Sequence, residues 1–165
     1  MAPTNDHDNH PASAGHLSAG RVRAELVLTL AADWVSPSLA RARMRDWLRA
    51  HRWPASAVQD LVLAVSEAVS NSIEHGYDVP VDDLRTHAVT IDLHARFTSD
   101  GDGFSRVYVE VRDRGVWRPP AGAPSNRGRG LIIMRACVDR LVVDQSPDGT
   151  VVSMTSRPVP MPPGV

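Results

Sequence analysis

Two alternating runs, Val89 to Phe97 and Val107 to Asp113, constrain this chain more than any other feature. Val89, Ile91, Leu93, Ala95 and Phe97 alternate with Thr90, Asp92, His94 and Arg96. Side chains on a strand point to opposite faces in turn, so this run predicts a strand with one buried side. Asp100-Gly101-Asp102-Gly103 supplies the residues of a hairpin turn. The return run places Val107, Val109 and Val111 on the inner face, and parity carries that face on to Asp113. A sheet with one apolar face needs a second layer to cover it. A carboxylate on that face points into the space between the layers.

The covering layer has an obvious member in Leu61 to Tyr77, LVLAVSEAVSNSIEHGY. At about 100° per residue, Val58, Val62, Val65, Val69 and Ile73 form one apolar stripe. Glu67, Asn71 and His75 are spaced by four and line up on another side, each turned about 40° from the last. Ala64 and Ala68 border that line and leave room for something to lie against it. A carboxylate, an amide and an imidazole on one ridge can hold a metal and a phosphate. They can equally be a solvated helix face, and geometry alone leaves both readings open.

The remaining elements follow in order. Ala24, Leu26, Leu28 and Leu30 alternate, which predicts a strand. Ser36-Pro37 reads as a capped helix start, with the helix running to about His51. Met44, Trp47 and Leu48 face inward there, and Arg41, Arg43, Arg45 and Asp46 face solvent. Trp53-Pro54 breaks the chain, Ser56 to Gln59 fits a capping box, and Gly76 ends the organising helix. Residues 78–85 read as a loop, and 115–127 as a long Pro/Gly-rich loop of the kind that forms lids. Gly130 to Leu141 reads as a helix. Leu141 to Asp144 and Thr150 to Met154 read as strands around a Pro147-Asp148-Gly149 turn. Thr150, Val152 and Met154 share one face, so Thr150 points inward.

The chain divides into a polar tail at 1–20, a domain at 21–157 and a Pro-rich tail at 158–165, with both tails expected to be disordered. The 165 residues suit one core. A net charge of -1 gives no basic excess for direct nucleic-acid binding. No apolar run reaches the roughly 18 residues of a membrane span. The single cysteine, Cys137, excludes an intramolecular disulfide and reads as a small core residue. A cytoplasmic location is the resulting expectation.

Glu67-x-x-x-Asn71, then Asp113-x-Gly115, then Gly128-x-Gly130-Leu131 resembles the nucleotide site of the GHKL (histidine kinase-like) ATPase superfamily. The wording VSEAVSNSIEHGY is most similar to the anti-sigma factor serine/threonine kinases of the sporulation and general-stress type. The resemblance covers roughly residues 22 to 157. It implies an α+β fold of Bergerat type: a two-layer α/β sandwich with a mixed, mainly antiparallel sheet and helices on one face. It also implies ATP and Mg2+ as cofactors, an anti-anti-sigma (STAS-domain) protein as substrate, and an RNA polymerase sigma factor as second partner. Dimers are common among such relatives, so a homodimer stays open.

On this resemblance each box has chemistry to do. Asp113 is an acceptor for the exocyclic amine of adenine, Gly115 lets the backbone approach the ring, and Thr150 orients the aspartate. Gly128, Gly130 and Leu131 open a helix whose free amides suit phosphate, with Arg127 and Arg129 beside them. Asn71 is the magnesium ligand, Glu67 is free to act as general base, and His75 supports the site. One position departs from the pattern: the adenine box is often Asp-x-Gly-x-Gly, and here Trp117 replaces the last glycine. That departure keeps a second function in view, a nucleotide-regulated binding module with little or no transfer activity.

Overall fold

The computed structural model describes residues 24–76, 89–99, 101–115 and 127–160. The expected loop at 78–85, the lid segment at 116–126 and the N-terminal tail lie outside them. In chain order the elements are β1 (Glu25–Ala31), α1 (Ser36–Ala50), α2 (Ala55–Gly76), β2 (Thr90–Ser99), β3 (Phe104–Asp113), α3 (Arg127–Cys137), β4 (Arg140–Ser146), β5 (Gly149–Thr155) and β6 (Val159–Pro160). The strand order is β1-β2-β3-β5-β4, with β6 also on β3. Every described pairing is antiparallel. The α+β sandwich with a mainly antiparallel sheet and helices on one face is as expected.

Alternation built this sheet as the sequence predicts. Ile91, Leu93, Ala95 and Phe97 are buried on β2, and Val107, Val109, Val111 and Asp113 on β3. The register aligns them in rows. Leu28 sits opposite Leu93, Leu93 opposite Val111, and Val111 opposite Val152. The next row runs Leu30, Ile91, Asp113, Thr150. Asp113 therefore continues an apolar row, and it is only 5% exposed. Such a row is worth a few kcal/mol per large side chain, so the placement of the aspartate is set by burial of its neighbours.

The helices cover this face. α2 packs on β3 and β5, α1 on β1, and α3 on β4. Val58, Leu61, Val65 and Val69 of α2 are buried toward the core. Met44 and Leu48 of α1 are fully buried. Trp47 stacks on Phe97 with ring centroids 4.3 Å apart.

Four local expectations need correction. Ser36 is not the cap of α1. Asp33 Oδ1 accepts the N–H groups of Val35 and Ser36, while the buried Ser36 hydroxyl donates to the Ala31 carbonyl at 2.6 Å. A carboxylate three residues upstream outcompetes a hydroxyl that has a strand carbonyl to satisfy. Ser56 does not cap α2 either: the helix begins at Ala55, directly after Pro54, and Val58 N–H already bonds the Pro54 carbonyl. Arg41, expected on a solvated face, donates to the buried Ser66 hydroxyl of α2 at 2.9 Å and ties the two helices together. Finally, the fold runs past 157. β5 pairs with β3 only from Tyr108 onward, so Phe104 and Ser105 present a free edge, which Val159 and Pro160 fill. Proline is tolerated on such an edge.

Candidate functional site

The organising helix delivers its ridge to α3. α3 runs antiparallel along the edge of α2 that carries Asp60, Ala64, Glu67 and Asn71. At one end Gly130 meets Glu67 and Asn71. At the other, Arg157 bridges the Asp60 carboxylate of α2 and the Ala136 carbonyl near the end of α3. The room left by Ala64 and Ala68, both fully buried, is taken up by helix packing. Glu67 and Asn71 are half-buried, so the ridge is not a plain solvated face.

Gly130 is the point where two boxes meet. A Cβ added there would lie 3.2 Å from Asn71 Oδ1, 3.2 Å from Asn71 Nδ2 and 3.2 Å from Glu67 Oε2. The amide and the carboxylate thus converge on one spot of the first turn of α3. That helix begins at Arg127, earlier than the Gly130 expected, and ends at Cys137, before Leu141. The glycines misled the sequence reading at the start. At the other end no Gly or Pro separates the helix from β4, and just before that strand Asp139 N–H already bonds the Thr155 carbonyl. The free first-turn amides are consequently those of Arg127 to Gly130, the stretch expected to hold phosphate. Arg129 is exposed and Leu131 half-buried. Gly128 lies in the first turn, and the side chains of Arg127 and His75 are outside the described set.

The second half of the site is at the end of β3. Asp113 Oδ1 accepts the N–H of Gly115 at 3.1 Å and the N–H of Thr150 at 3.3 Å. No described hydrogen bond uses Oδ2. A buried carboxylate with one oxygen pinned by backbone amides and the other uncommitted is an oriented acceptor. It fits the amine of a purine such as adenine. Thr150 acts through its amide here, where its hydroxyl was expected. Cys137 is buried, and burial pushes its thiol up, with Asp60 and Glu67 nearby adding to the effect and Arg157 opposing it. It packs as a core residue.

A model of the histidine kinase-like ATPase domain matches residues 30–156 of this sequence. The chain belongs to the histidine kinase-like ATPase domain family. This ATPase domain is 26% identical over 145 residues to an anti-sigma F factor of Bacillus velezensis, across 81% of this chain and 92% of that one. It is also similar to the crystal structure of the RsbU and RsbW domains of Rv1364c from Mycobacterium tuberculosis, with a TM-score of 0.63, 29% identity and 82% of this chain covered. It spans 33% of the length of that longer chain. Membership in that family supports ATP binding by this domain.

Gly149 was read from the sequence only as a turn residue, although its backbone lies directly against that of Asp113. A Cβ there would fall 2.0 Å from the Asp113 carbonyl oxygen. The Asp148-Gly149 pair was the available signal, and its closeness to Asp113 could not be read without the β3–β5 register.

The Gly130 contact yields a first prediction. Gly130→Ala should weaken ATP binding, because the ends of the Asn71 and Glu67 side chains must shift by a few tenths of an ångström to admit the methyl. Helix content by circular dichroism should hold. Unchanged ATP affinity by calorimetry would show that the first turn of α3 does not bear on the ligand.

Proposed function

We propose that this chain is a magnesium- and ATP-dependent serine/threonine protein kinase that acts as an anti-sigma factor. Its substrate is a small anti-anti-sigma STAS-domain protein, and its second partner is an RNA polymerase sigma factor that it sequesters. It works in the cytoplasm, without direct contact to nucleic acid or membrane. The observation that carries this reading is the convergence of Glu67 and Asn71 on Gly130 at the start of α3. The curated relative named an anti-sigma F factor supports the same class.

Each residue has a distinct task. Asp113 Oδ2 accepts from the adenine amine, and Gly115 lets the ring lie close to the backbone. The first-turn amides of α3 and Arg129 face phosphate. Among the described residues no group of three or more His, Cys, Asp or Glu side chains gathers as a metal site. A magnesium ion, which neutralises phosphate charge, would take the Asn71 amide oxygen as its protein ligand, with phosphate and water completing the set. Glu67 accepts the proton of the incoming serine or threonine hydroxyl. It is half-buried and stands one helical turn from Asn71 on the same ridge, so base and metal ligand face the same phosphate end.

The test is incubation with γ-labelled ATP and purified STAS-domain proteins from the same cell. The kinase reading predicts label on a serine or threonine of one of them. ATP-dependent capture of that protein without label would leave the nucleotide-regulated module standing and the kinase rejected.

A further inference from the structure

We infer that Ser146 and Gly149, in the turn between β4 and β5, are positioning residues that set the nucleobase selectivity of the site. The inference rests on the reading of Asp113 as the adenine acceptor.

The turn is built and docked in an unusual way. The Ser146 hydroxyl donates to the Gly149 carbonyl at 3.3 Å and accepts the N–H of Asp148 at 3.2 Å. One side chain thus closes the turn from both sides. Gly149 has φ +132°, a conformation few residues other than glycine adopt. Its missing side chain lets the turn pass against the backbone of Asp113 and Arg114, where a Cβ would fall 2.0 Å from the Asp113 oxygen and 2.8 Å from Arg114 Cα. The next residue, Thr150, is thereby brought level with Asp113 across the sheet, and its N–H reaches Asp113 Oδ1.

The consequence is directional. A carboxylate rotates freely unless an oxygen is held. Gly115 holds Oδ1 from its own strand end, and Thr150 holds the same atom from the neighbouring strand. With both in place, the direction of Oδ2 is set before any ligand arrives. An acceptor oriented in advance discriminates between ligands with and without the matching donor far better than one that can turn away, because the mismatched ligand then leaves a buried polar atom unpaired. Loosening the turn releases one of the two anchors. It should lower selectivity for the amine more than it lowers binding of the triphosphate, which is held elsewhere.

The experiment compares ATP with purine riboside 5′-triphosphate, which lacks only the 6-amino group, by calorimetry on the full chain. Wild type should prefer ATP by about 10- to 100-fold, the range for a hydrogen bond to a charged group. Ser146→Ala, at an exposed position, should fold normally and lose about three- to tenfold of that ratio, mainly through weaker ATP binding. Ser146→Thr, which keeps the hydroxyl, should restore it. A purely structural role would lower both affinities together and leave the ratio intact. A discriminating wild type beside an equally discriminating Ser146→Ala overturns this inference alone. A wild type that binds both triphosphates equally overturns the adenine reading as well.

Discussion

Gly149→Ala should lower the stability of this chain by about 2–6 kcal/mol, as the sum of two costs. The residue sits at φ +132°, where a side chain costs roughly 1–3 kcal/mol in backbone strain. The added methyl would also collide with backbone, the Asp113 carbonyl at 2.0 Å, and no rotamer change can relieve that. Overpacking of this kind costs roughly another 1–3 kcal/mol. Against a total stability of about 5–15 kcal/mol the loss is large. The melting midpoint should fall by roughly 10 °C. Gly101→Ala is the control: it has φ +76° and nothing within 4 Å, so only the strain is paid there. If the two variants melt together, the close approach of the β4–β5 turn to Asp113 is wrong.

Glu67→Gln should reduce phosphoryl transfer by about 10²–10⁴-fold while ATP binding persists. Glutamine keeps the shape and hydrogen-bonding capacity of the side chain and removes only the base. A loose transition state depends less on a base, which favours the lower end of that range. Any ATP-dependent capture of a partner should survive. Asn71→Ala should behave differently, because it removes the proposed magnesium ligand. ATP binding in the presence of magnesium and transfer should fall together. Both variants should unfold close to wild type, since neither side chain is in the core. The comparison needs affinity and transfer measured on both proteins. Equal loss of ATP binding in the two would make Glu67 part of the metal or helix scaffold. No effect in either would return the ridge to an ordinary polar face.

The main strands and the β2–β3 hairpin were legible because alternation is a strong signal where one face is buried. Val107, Val109 and Val111 located Asp113 on the inner face, and the structure places it there. The Glu67–Asn71 ridge was legible through helical spacing alone. What it faces was not, because spacing within one helix says nothing about its neighbour. The nearness of Gly130 needed the antiparallel packing of α3 on α2. Capping failed as a guide for the same reason. Ser36 and Ser56 are good caps in isolation, yet Asp33 and Pro54 set the helix starts through contacts that local preference does not weigh. The Pro-rich end misled because composition argued for disorder, whereas an open edge on β3 offered Val159 and Pro160 a place to pair.

The most direct test of the central claim, that this domain reads adenine through Asp113, is calorimetric titration of Asp113→Asn with Mg-ATP beside wild type. Two backbone N–H groups converge on Oδ1, so the amide oxygen of the asparagine must take that position. Its NH2 group then stands where Oδ2 was and meets the adenine amine donor to donor. Binding should weaken by about 1.5–3 kcal/mol, the value of a hydrogen bond to a charged group. The same affinity in both proteins would contradict the account.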